Sequence, residues 1–372
     1  MNQIAIPPGV LHWAAEKAEG SLHSFAEQVA KRKGDRDRIL EGLLTIPQIE
    51  KLAKKARIPF GYLFLSEPPN LAEVEIPDLR RVQDAEPLGD NFYQTLEDIK
   101  AKQEWFIDYI KDSGGVEIPF VGRFKEGKKT ATSIAADIKK ELGISDDDRR
   151  RSPNAEAYFS RLSEKIERAG ILVFKSSIVK SNTKQSLSEQ EFRGFAINHK
   201  FAPVIFINGR DAQVASVFTL MHELAHIWIG VDGVSDVTAY PNNPIEKLCN
   251  EIASKILVPN DVFMEQWNGI DGIGQLAKYF RVSRVVIARR AIDNGLIGRE
   301  QYEQIASKVV RIKSAGKPTI YQTLPIRNSK KLTSAVIADA MSGNTLLRDA
   351  ARLLNVKPST VISFGKRALK DD

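Results

Sequence analysis

Apolar residues recur at helical spacing in the first 65 residues, in three short runs separated by polar segments. The positions that share one face within each run are Val10, Leu11 and Ala14, then Leu22, Phe25 and Val29, then Ile49, Leu52 and Ala53. Spacings of three and four residues place such side chains on one face of an α-helix. Short helices joined by tight links are typical of a helix-turn-helix module. Any other small helical bundle would show the same pattern, so that alternative stays open.

The hydrophobic period changes after Gly170, where short apolar runs replace the helical pattern. The runs rich in β-branched and aromatic residues are ILVFKSS at 171–177, FRGFAI at 192–197 and APVIFIN at 202–208. Such runs with turn signals between them predict β-strands. A longer helical pattern covers 90–113, and helices resume at Asp211 and continue to about residue 310. The centre of the chain is therefore expected to be α+β, with strands that lead into helices.

The end of the chain again predicts a helix, a turn and a helix, in NTLLRDAARLLNVKPSTVISFGKRAL. The whole chain has 54 Lys and Arg against 47 Asp and Glu, a net charge of +7. Residues 311–372 hold 12 of these basic residues and only 4 acidic ones, so the basic excess belongs to this segment. A basic segment favours nucleic acid or an acidic partner. The alternative is a helical cap on the rest of the chain with a solvated basic face.

Composition excludes several classes of protein. The chain of 372 residues has one cysteine, Cys249, so an intramolecular disulfide is impossible and a reducing compartment is favoured. No run approaches the ~18 consecutive apolar residues of a membrane-spanning helix. The N-terminal MNQIAIPPGV lacks the basic and apolar regions of a secretion signal. We therefore expect a cytoplasmic protein with no membrane partner.

The strongest chemical signal is His222-Glu223-Leu224-Ala225-His226, an H-E-x-x-H pattern inside an apolar helical run. Residues four apart lie on one face of a helix with Cβ atoms about 5–6 Å apart, so two imidazoles can share one metal ion. Glu223 is placed to act as general base on a water at that metal. The donors favour Zn²⁺, which lowers the pKa of a bound water to about 7. A pair of structural histidines is the alternative.

A catalytic zinc site needs a third protein ligand. Glu246, 20 residues after the second histidine, is the preferred candidate because a second predicted helix can return it to the metal. Asp232 ranks second, and Glu251 is the fallback. Asn250, one helical turn after Glu246, is expected to hydrogen-bond the other nitrogen of a ligand histidine. Cys249 is expected to be a small buried residue on an apolar helix face.

Substrate contacts are predicted from the strand before the motif and from two polar residues. The strand residues Val204, Ile205 and Phe206 are expected to pair with an extended peptide by strand addition. An ordinary buried strand is the alternative. Arg193 and Tyr240 are candidates for stabilising an oxyanion, and a structural role is the alternative for each.

Several segments of the chain resemble a known family. FRGFAI, APVIFIN, FTLMHELAHIWIG and EKLCNEIASKILVP together resemble the ImmA/IrrE family of metallo-endopeptidases. The segments IPPGVLHWAAEKAEGSL, IEKLAKKARIPFGYLFLSEPP and IPDLRR resemble the XRE-type helix-turn-helix that often precedes that peptidase. The resemblance extends from residue 5 to about residue 310. It implies a zinc peptidase that cleaves repressor-like regulators in stress, mobile-element or toxin–antitoxin contexts.

The resemblance also implies roles for individual residues of this chain. The metal ligands that it implies are His222, His226 and Glu246. Glu223 matches the family's general base. The chain departs from the family at Cys249 and Ile252, where Ala and Phe are usual. Both are packing positions, so the departure concerns the local fit of the helix around the site.

The N-terminal module is the first candidate for DNA binding. Its recognition helix is expected near residues 33–43. The basic side chains available there for phosphates or bases are Arg32, Lys33, Arg36 and Arg38. However, residues 1–70 hold 10 basic and 8 acidic residues, and Asp35 and Asp37 lie within the same segment. Recognition of a regulator of similar fold, or dimerisation, is therefore the alternative.

Together these observations predict an α+β multidomain protein. Its predicted parts are an all-α, XRE-like helix-turn-helix domain at 1–70, a linker and long helix at 71–115, a zincin-like metallopeptidase domain at 116–310 and a basic helical segment at 311–372. The favoured function is a zinc-dependent endopeptidase that hydrolyses a peptide bond in a repressor-like regulator. The alternative is a DNA-binding transcription regulator or antitoxin-like protein whose metal site is structural or regulatory.

Overall fold

The computed structural model of the chain describes residues 3–56, 58, 60–68, 76, 88–127, 130–235, 243–307 and 319–371. The chain divides into two compact units, Met1–Glu75 and Ile76–Asp372. No helix in these described ranges is both long enough and apolar enough to cross a membrane.

The first unit is a helical bundle with a small sheet. Its elements are β1 (Gln3–Ala5), α1 (Pro8–Glu19), α2 (Leu22–Val29), α3 (Lys33–Leu40), β2 (Leu43–Thr45), α4 (Ile46–Ala56) and a 3-10 turn (Phe60–Phe64). Strands β1 and β2 pair in antiparallel fashion, so the prediction that this module is all-α is wrong in that respect. The helix expected over 33–43 ends at Leu40, because Gly42 takes a φ of 86° and the chain continues into β2. The helix-turn-helix assignment stays a prediction.

Helix α3 carries the basic residues that were considered for nucleic acid. Arg32 is the residue before its first turn, and Ile39 is its one buried side chain among the described residues. The exposed side chains on or beside this helix are Arg32, Lys33, Asp35, Asp37 and Arg38, whereas Arg36 is half-buried. Acidic and basic groups therefore share the exposed face, and DNA binding by this unit remains a prediction.

The second unit is α+β, as predicted. Its helices before the motif are α5 (Asp90–Asp112), α6 (Ala131–Leu142), α7 (Asp146–Arg150) and α8 (Ala155–Arg168). Its strands are β3 (Leu172–Ser176), β4 (Gly194–Ile197), β5 (Val204–Asn208) and β6 (Gly233–Ser235). They form one sheet in the order β3-β5-β4-β6. Strand β3 is parallel to β5, and β4 is antiparallel to both β5 and β6.

The helices after β5 include the two that carry the motif residues. They are α9 (Gln213–Ile229), α10 (Pro244–Leu257), α11 (Asn260–Gln266), α12 (Ile273–Phe280), α13 (Arg284–Asp293) and α14 (Arg299–Ser307). Helix α9 packs against α8, α10, β4 and β5. It ends at Gly230, which takes a φ of 75°. Its last carbonyls, of Ile227 and Trp228, accept hydrogen bonds of 2.9 Å from the N–H groups of Gly122 and Phe124, so the end of the helix is fixed within the core.

The C-terminal segment packs on this same unit. Its helices are α15 (Ile320–Arg327), α16 (Lys330–Met341), α17 (Leu347–Leu353) and α18 (Pro358–Asp371). The buried carboxylate of Glu167 on α8 accepts hydrogen bonds from the Ser329 hydroxyl and the Lys331 N–H. The Asn355 side chain donates to Asp98 of α5 over 2.8 Å. The helix, turn and helix were predicted, and the packing agrees with the alternative of a helical cap. Recognition of an acidic partner stays a prediction.

Candidate functional site

Helices α9 and α10 bring the two motif histidines and Glu246 together. The two Glu246 oxygens lie 3.1 Å from His222 Nε2 and 3.1 Å from His226 Nε2, respectively. The two Nε2 atoms are 3.2 Å apart. The four-residue spacing on α9 aligns the imidazoles, and α10 presents the carboxylate from the opposite side. Three side chains of types that can bind a metal ion therefore converge.

The converging side chains are buried, and their charges are complementary. Both histidines are fully buried, and Glu246 is 2% exposed. Burial by itself would raise the pKa of Glu246, but His222 and His226 outweigh it and hold the pKa at about 2. Burial would lower the pKa of His222, yet Glu246 raises it above its usual value, while burial keeps the pKa of His226 low. An ionised carboxylate facing two imidazoles is a donor set that Zn²⁺ accepts.

Glu223 is a fully buried carboxylate beside this cluster. Among the described residues, no donor makes a hydrogen bond of normal geometry to either of its oxygens. Burial raises its pKa to about 8, with a further increase from Glu246 and opposing effects from His222 and the nearby Ser235 hydroxyl. A buried carboxyl group without a partner is costly to folding, and such perturbed groups cluster at functional sites. Its surroundings fit a cation and a water molecule as missing partners.

The raised pKa of Glu223 predicts a pH dependence in the metal-free protein. Because the folded state holds a proton that the unfolded state releases, Glu223 lowers stability progressively as pH rises from about 4.5 to about 8. We expect metal-free Glu223→Gln to gain stability relative to the metal-free wild type across this interval. Urea unfolding at several pH values measures the free energy of unfolding of both proteins. Groups that titrate alike in the two proteins do not contribute to the difference between these free energies. A difference that does not change with pH would contradict this assignment.

Asn250 lies where an outer partner of a ligand histidine is expected. Its Oδ1 is 2.9 Å from His222 Nδ1. A hydrogen bond from Nδ1–H to this oxygen leaves the Nε2 lone pair directed at the convergence point. Outer partners of this kind orient metal-binding histidines. We therefore assign Asn250 that role in the function proposed below.

Cys249 is a small buried residue, as predicted, and it lies beside the histidine pair. Its Sγ, one ring nitrogen of His222 and one ring nitrogen of His226 all lie within 4.8 Å of one another. Burial, together with the charges of Glu246 and Glu223, raises the pKa of its thiol well above the usual value. The residues around the histidine pair thus include two further donors, a carboxylate and a thiol.

The two other candidates for third ligand are engaged elsewhere. Asp232 accepts hydrogen bonds from the backbone N–H and the side chain of Asn198, at 2.6 and 2.9 Å. Glu251 is half-exposed and pairs with Lys255 at 3.5 Å. Neither makes a contact with the histidine pair in the part of the chain that the structure describes.

The strand predicted to bind the substrate is an interior strand. Val204, Ile205 and Phe206 lie in β5, which is hydrogen-bonded to β3 on one side and to β4 on the other. Both edges are occupied, so an extended peptide has no free edge of β5 to join. This prediction is wrong, and the alternative of a buried strand is correct. Strand order depends on long-range pairing, which the local pattern does not contain.

The structure describes one of the two candidate oxyanion stabilisers, Arg193. The Arg193 guanidinium contacts Asp211 at 3.3 Å. The role of Arg193 as an oxyanion stabiliser stays a prediction. Tyr240 lies outside the described residues.

Gly194 is a site residue that the sequence interpretation missed. A Cβ atom added there would lie 2.8 Å from Glu223 Oε1, 2.9 Å from the Phe206 carbonyl oxygen and 2.9 Å from Thr219 Cγ2. The absence of a side chain lets β4 approach α9 closely and leaves space for the Glu223 carboxylate. A glycine inside a predicted strand often marks such a close approach, and this was the signal available in FRGFAI.

We expect Gly194→Ala to reduce the free energy of unfolding by about 1–3 kcal/mol, as overpacking typically does. The new methyl group would push against a backbone carbonyl that cannot move without distorting β5. Gly298→Ala is the matched control, because a Cβ there meets only the end of a flexible side chain at 3.9 Å. Urea unfolding measures both. Equal stability of the two variants would contradict the close approach.

Comparison with known proteins adds to this geometry. Residues 166–291, about a third of the chain, match the peptidase M78 family, described as an IrrE N-terminal-like domain. This region contains β3 to β6, both motif helices and every residue of the cluster, so the part of the chain that holds the cluster is similar to a metallopeptidase family. Residues 328–367 match a family described as a domain of unknown function. No curated protein and no solved structure matches the chain.

Proposed function

We propose that this protein is a zinc-dependent endopeptidase in which His222, His226 and Glu246 bind the metal and Glu223 is the general base. The observation that carries the proposal is that each of the two imidazole Nε2 atoms lies 3.1 Å from a Glu246 oxygen. Beside them, the buried Glu223 carboxylate accepts no hydrogen bond of normal geometry from the described residues. Glu246 is preferred to Cys249 as third ligand because it contacts both histidines directly.

In this proposal some of the side chains bind the metal and Glu223 transfers protons. Bound Zn²⁺ supplies Lewis-acid polarisation of the scissile carbonyl and lowers the pKa of water. Glu223 takes a proton from the attacking water and delivers it to the leaving amine. Without metal, burial raises the pKa of Glu223 and favours its protonated form. A cation bound nearby would lower this pKa and favour the carboxylate, which is the form that a general base needs. Asn250 keeps His222 in the orientation that ligation requires.

The proposed substrate is a specific partner protein, a repressor-like transcription regulator. Support comes from the match to an IrrE N-terminal-like domain and from the resemblance of the N-terminal segments to a DNA-binding module of the same class. The N-terminal unit recognises the regulator in this proposal, and the peptidase domain cleaves it. A stress, mobile-element or toxin–antitoxin context is part of the same proposal.

Purified components test this function directly. The full-length protein is stripped of metal, reloaded with zinc and incubated with candidate repressor-like regulators from the same genome. We expect cleavage only in the zinc-loaded sample, because the chain's own groups provide orientation and proton transfer but no Lewis acid. Cleavage that persists at an equal rate after metal removal would contradict the proposal.

A further inference from the structure

The metal cluster has one more donor than a catalytic zinc site uses. Catalytic sites combine three protein ligands with an open position, whereas four protein ligands form a closed site. Here the Glu246 oxygens lie 3.1 Å from the histidine Nε2 atoms, and the Cys249 Sγ lies within 4.8 Å of a ring nitrogen of each histidine. Three of these side chains account for the proposed activity, and the Cys249 thiol has no part in it.

The positions of Glu246 and Cys249 on α10 make joint ligation feasible. Residues three apart lie on the same face of a helix, and this face is turned towards the two histidines. The Cys249 Sγ lies within 4.8 Å of both histidine donor nitrogens. With bond lengths of about 2.0 Å for Zn–N and 2.3 Å for Zn–S, the N···S distance in a tetrahedral site is roughly 3.5 Å. To reach that distance, the Cys249 Sγ would have to move by up to about 1.3 Å towards the histidine nitrogens.

We propose that the Cys249 thiolate is a fourth ligand that holds this zinc site in a closed, latent form. The inference rests on the proposed zinc site and deepens it. On binding, the thiol releases its proton to water and forms a Zn–S bond, and no oxidant or reductant is involved. In the reverse step the Zn–S bond would break, the sulfur would take a proton from water, and the fourth position would be free for a water molecule. Only in the open form is there a water molecule from which Glu223 could take a proton.

The sequence makes the test unambiguous. Cys249 is the one cysteine of the chain and is fully buried, so a thiolate at the zinc must come from it and not from a second molecule. Thiolate is also a donor that X-ray absorption separates from nitrogen and oxygen by its longer bond. The side chain is small, so removing it leaves the His222, His226 and Glu246 donors in place.

The experiment is zinc X-ray absorption spectroscopy of the full-length protein loaded with an equimolar amount of zinc sulfate. We expect one sulfur neighbour at about 2.3 Å in the wild type. In Cys249→Ala we expect the loss of this shell, its replacement by an oxygen neighbour, and retention of equimolar zinc. Loading with cobalt chloride provides a second readout, a sulfur-to-cobalt charge-transfer band that the variant loses.

The outcomes separate this inference from the proposed function. A wild-type spectrum with only nitrogen and oxygen neighbours overturns the fourth ligand and leaves the three-ligand peptidase site intact. A sulfur shell that persists in Cys249→Ala also overturns it, because the sulfur is then not that of Cys249. Failure of the wild type to bind zinc at all overturns both. The wild-type spectrum decides the question even if the variant folds poorly.

Discussion

Glu223→Gln is expected to bind zinc like the wild type and to cleave its regulator about 10²–10⁴-fold more slowly, the usual contribution of a general base. Glutamine has nearly the same size as glutamate but cannot accept the proton of the attacking water. Zinc affinity should not change, because Glu223 is not among the three side chains that converge at 3.1 Å. Zinc content by metal analysis and cleavage rate by gel or mass spectrometry measure the two properties separately.

Glu251→Gln is the matched control for this prediction. It makes the same chemical change on α10 at a half-exposed residue that pairs with Lys255, so it should leave both zinc content and cleavage unchanged. A Glu223→Gln protein that cleaves at the wild-type rate would show that the buried carboxylate is not the base. Loss of zinc from this variant would instead make Glu223 a ligand.

The second large effect is expected from Glu246→Ala. Removing a ligand should weaken zinc binding by more than the roughly 10–100-fold loss that follows changes to outer partners. The variant also leaves His222 without the charge that raises its pKa. Because bound metal stabilises the folded protein, the gain in thermal stability on adding zinc should shrink with the affinity. Competition with a chelator of known affinity measures the loss.

Two further variants complete this series. Asn250→Ala removes the partner of His222 Nδ1 and is expected to weaken zinc binding about 10–100-fold. Asp232→Asn should have no effect on zinc affinity, because the Asp232 carboxylate accepts a hydrogen bond from the Asn198 N–H. An affinity loss for Asp232→Asn as large as that for Glu246→Ala would contradict the ligand assignment.

The sequence predicted the core of the site because helix geometry is local. The spacing of His222 and His226 and that of Glu246 and Asn250 each lie within one helix, so the faces follow from the 3.6-residue period. What remained to be found was that α9 and α10 pack together, which the structure shows. The distance from Cys249 to the histidines could not be predicted for the same reason, because it depends on that packing.

Other errors also concern interactions between distant parts of the chain. The local pattern of β5 marks it as a strand but does not say which strands flank it. The pairing of β1 with β2 joins residues some 40 positions apart, and neither run is long enough to signal a strand by itself. By contrast, the short helix α7 has a local signal in the sequence, since Ser145 and Asp148 form a capping box at its start.

The central claim is that this chain hydrolyses a peptide bond in a protein partner through Glu223. Its most direct test is labelling of new protein N-termini in cells that produce either the wild type or Glu223→Gln at equal levels. The account predicts a new N-terminus within a repressor-like regulator in the wild-type cells and none at that position with the variant. Identical sets of N-termini in the two strains would contradict it.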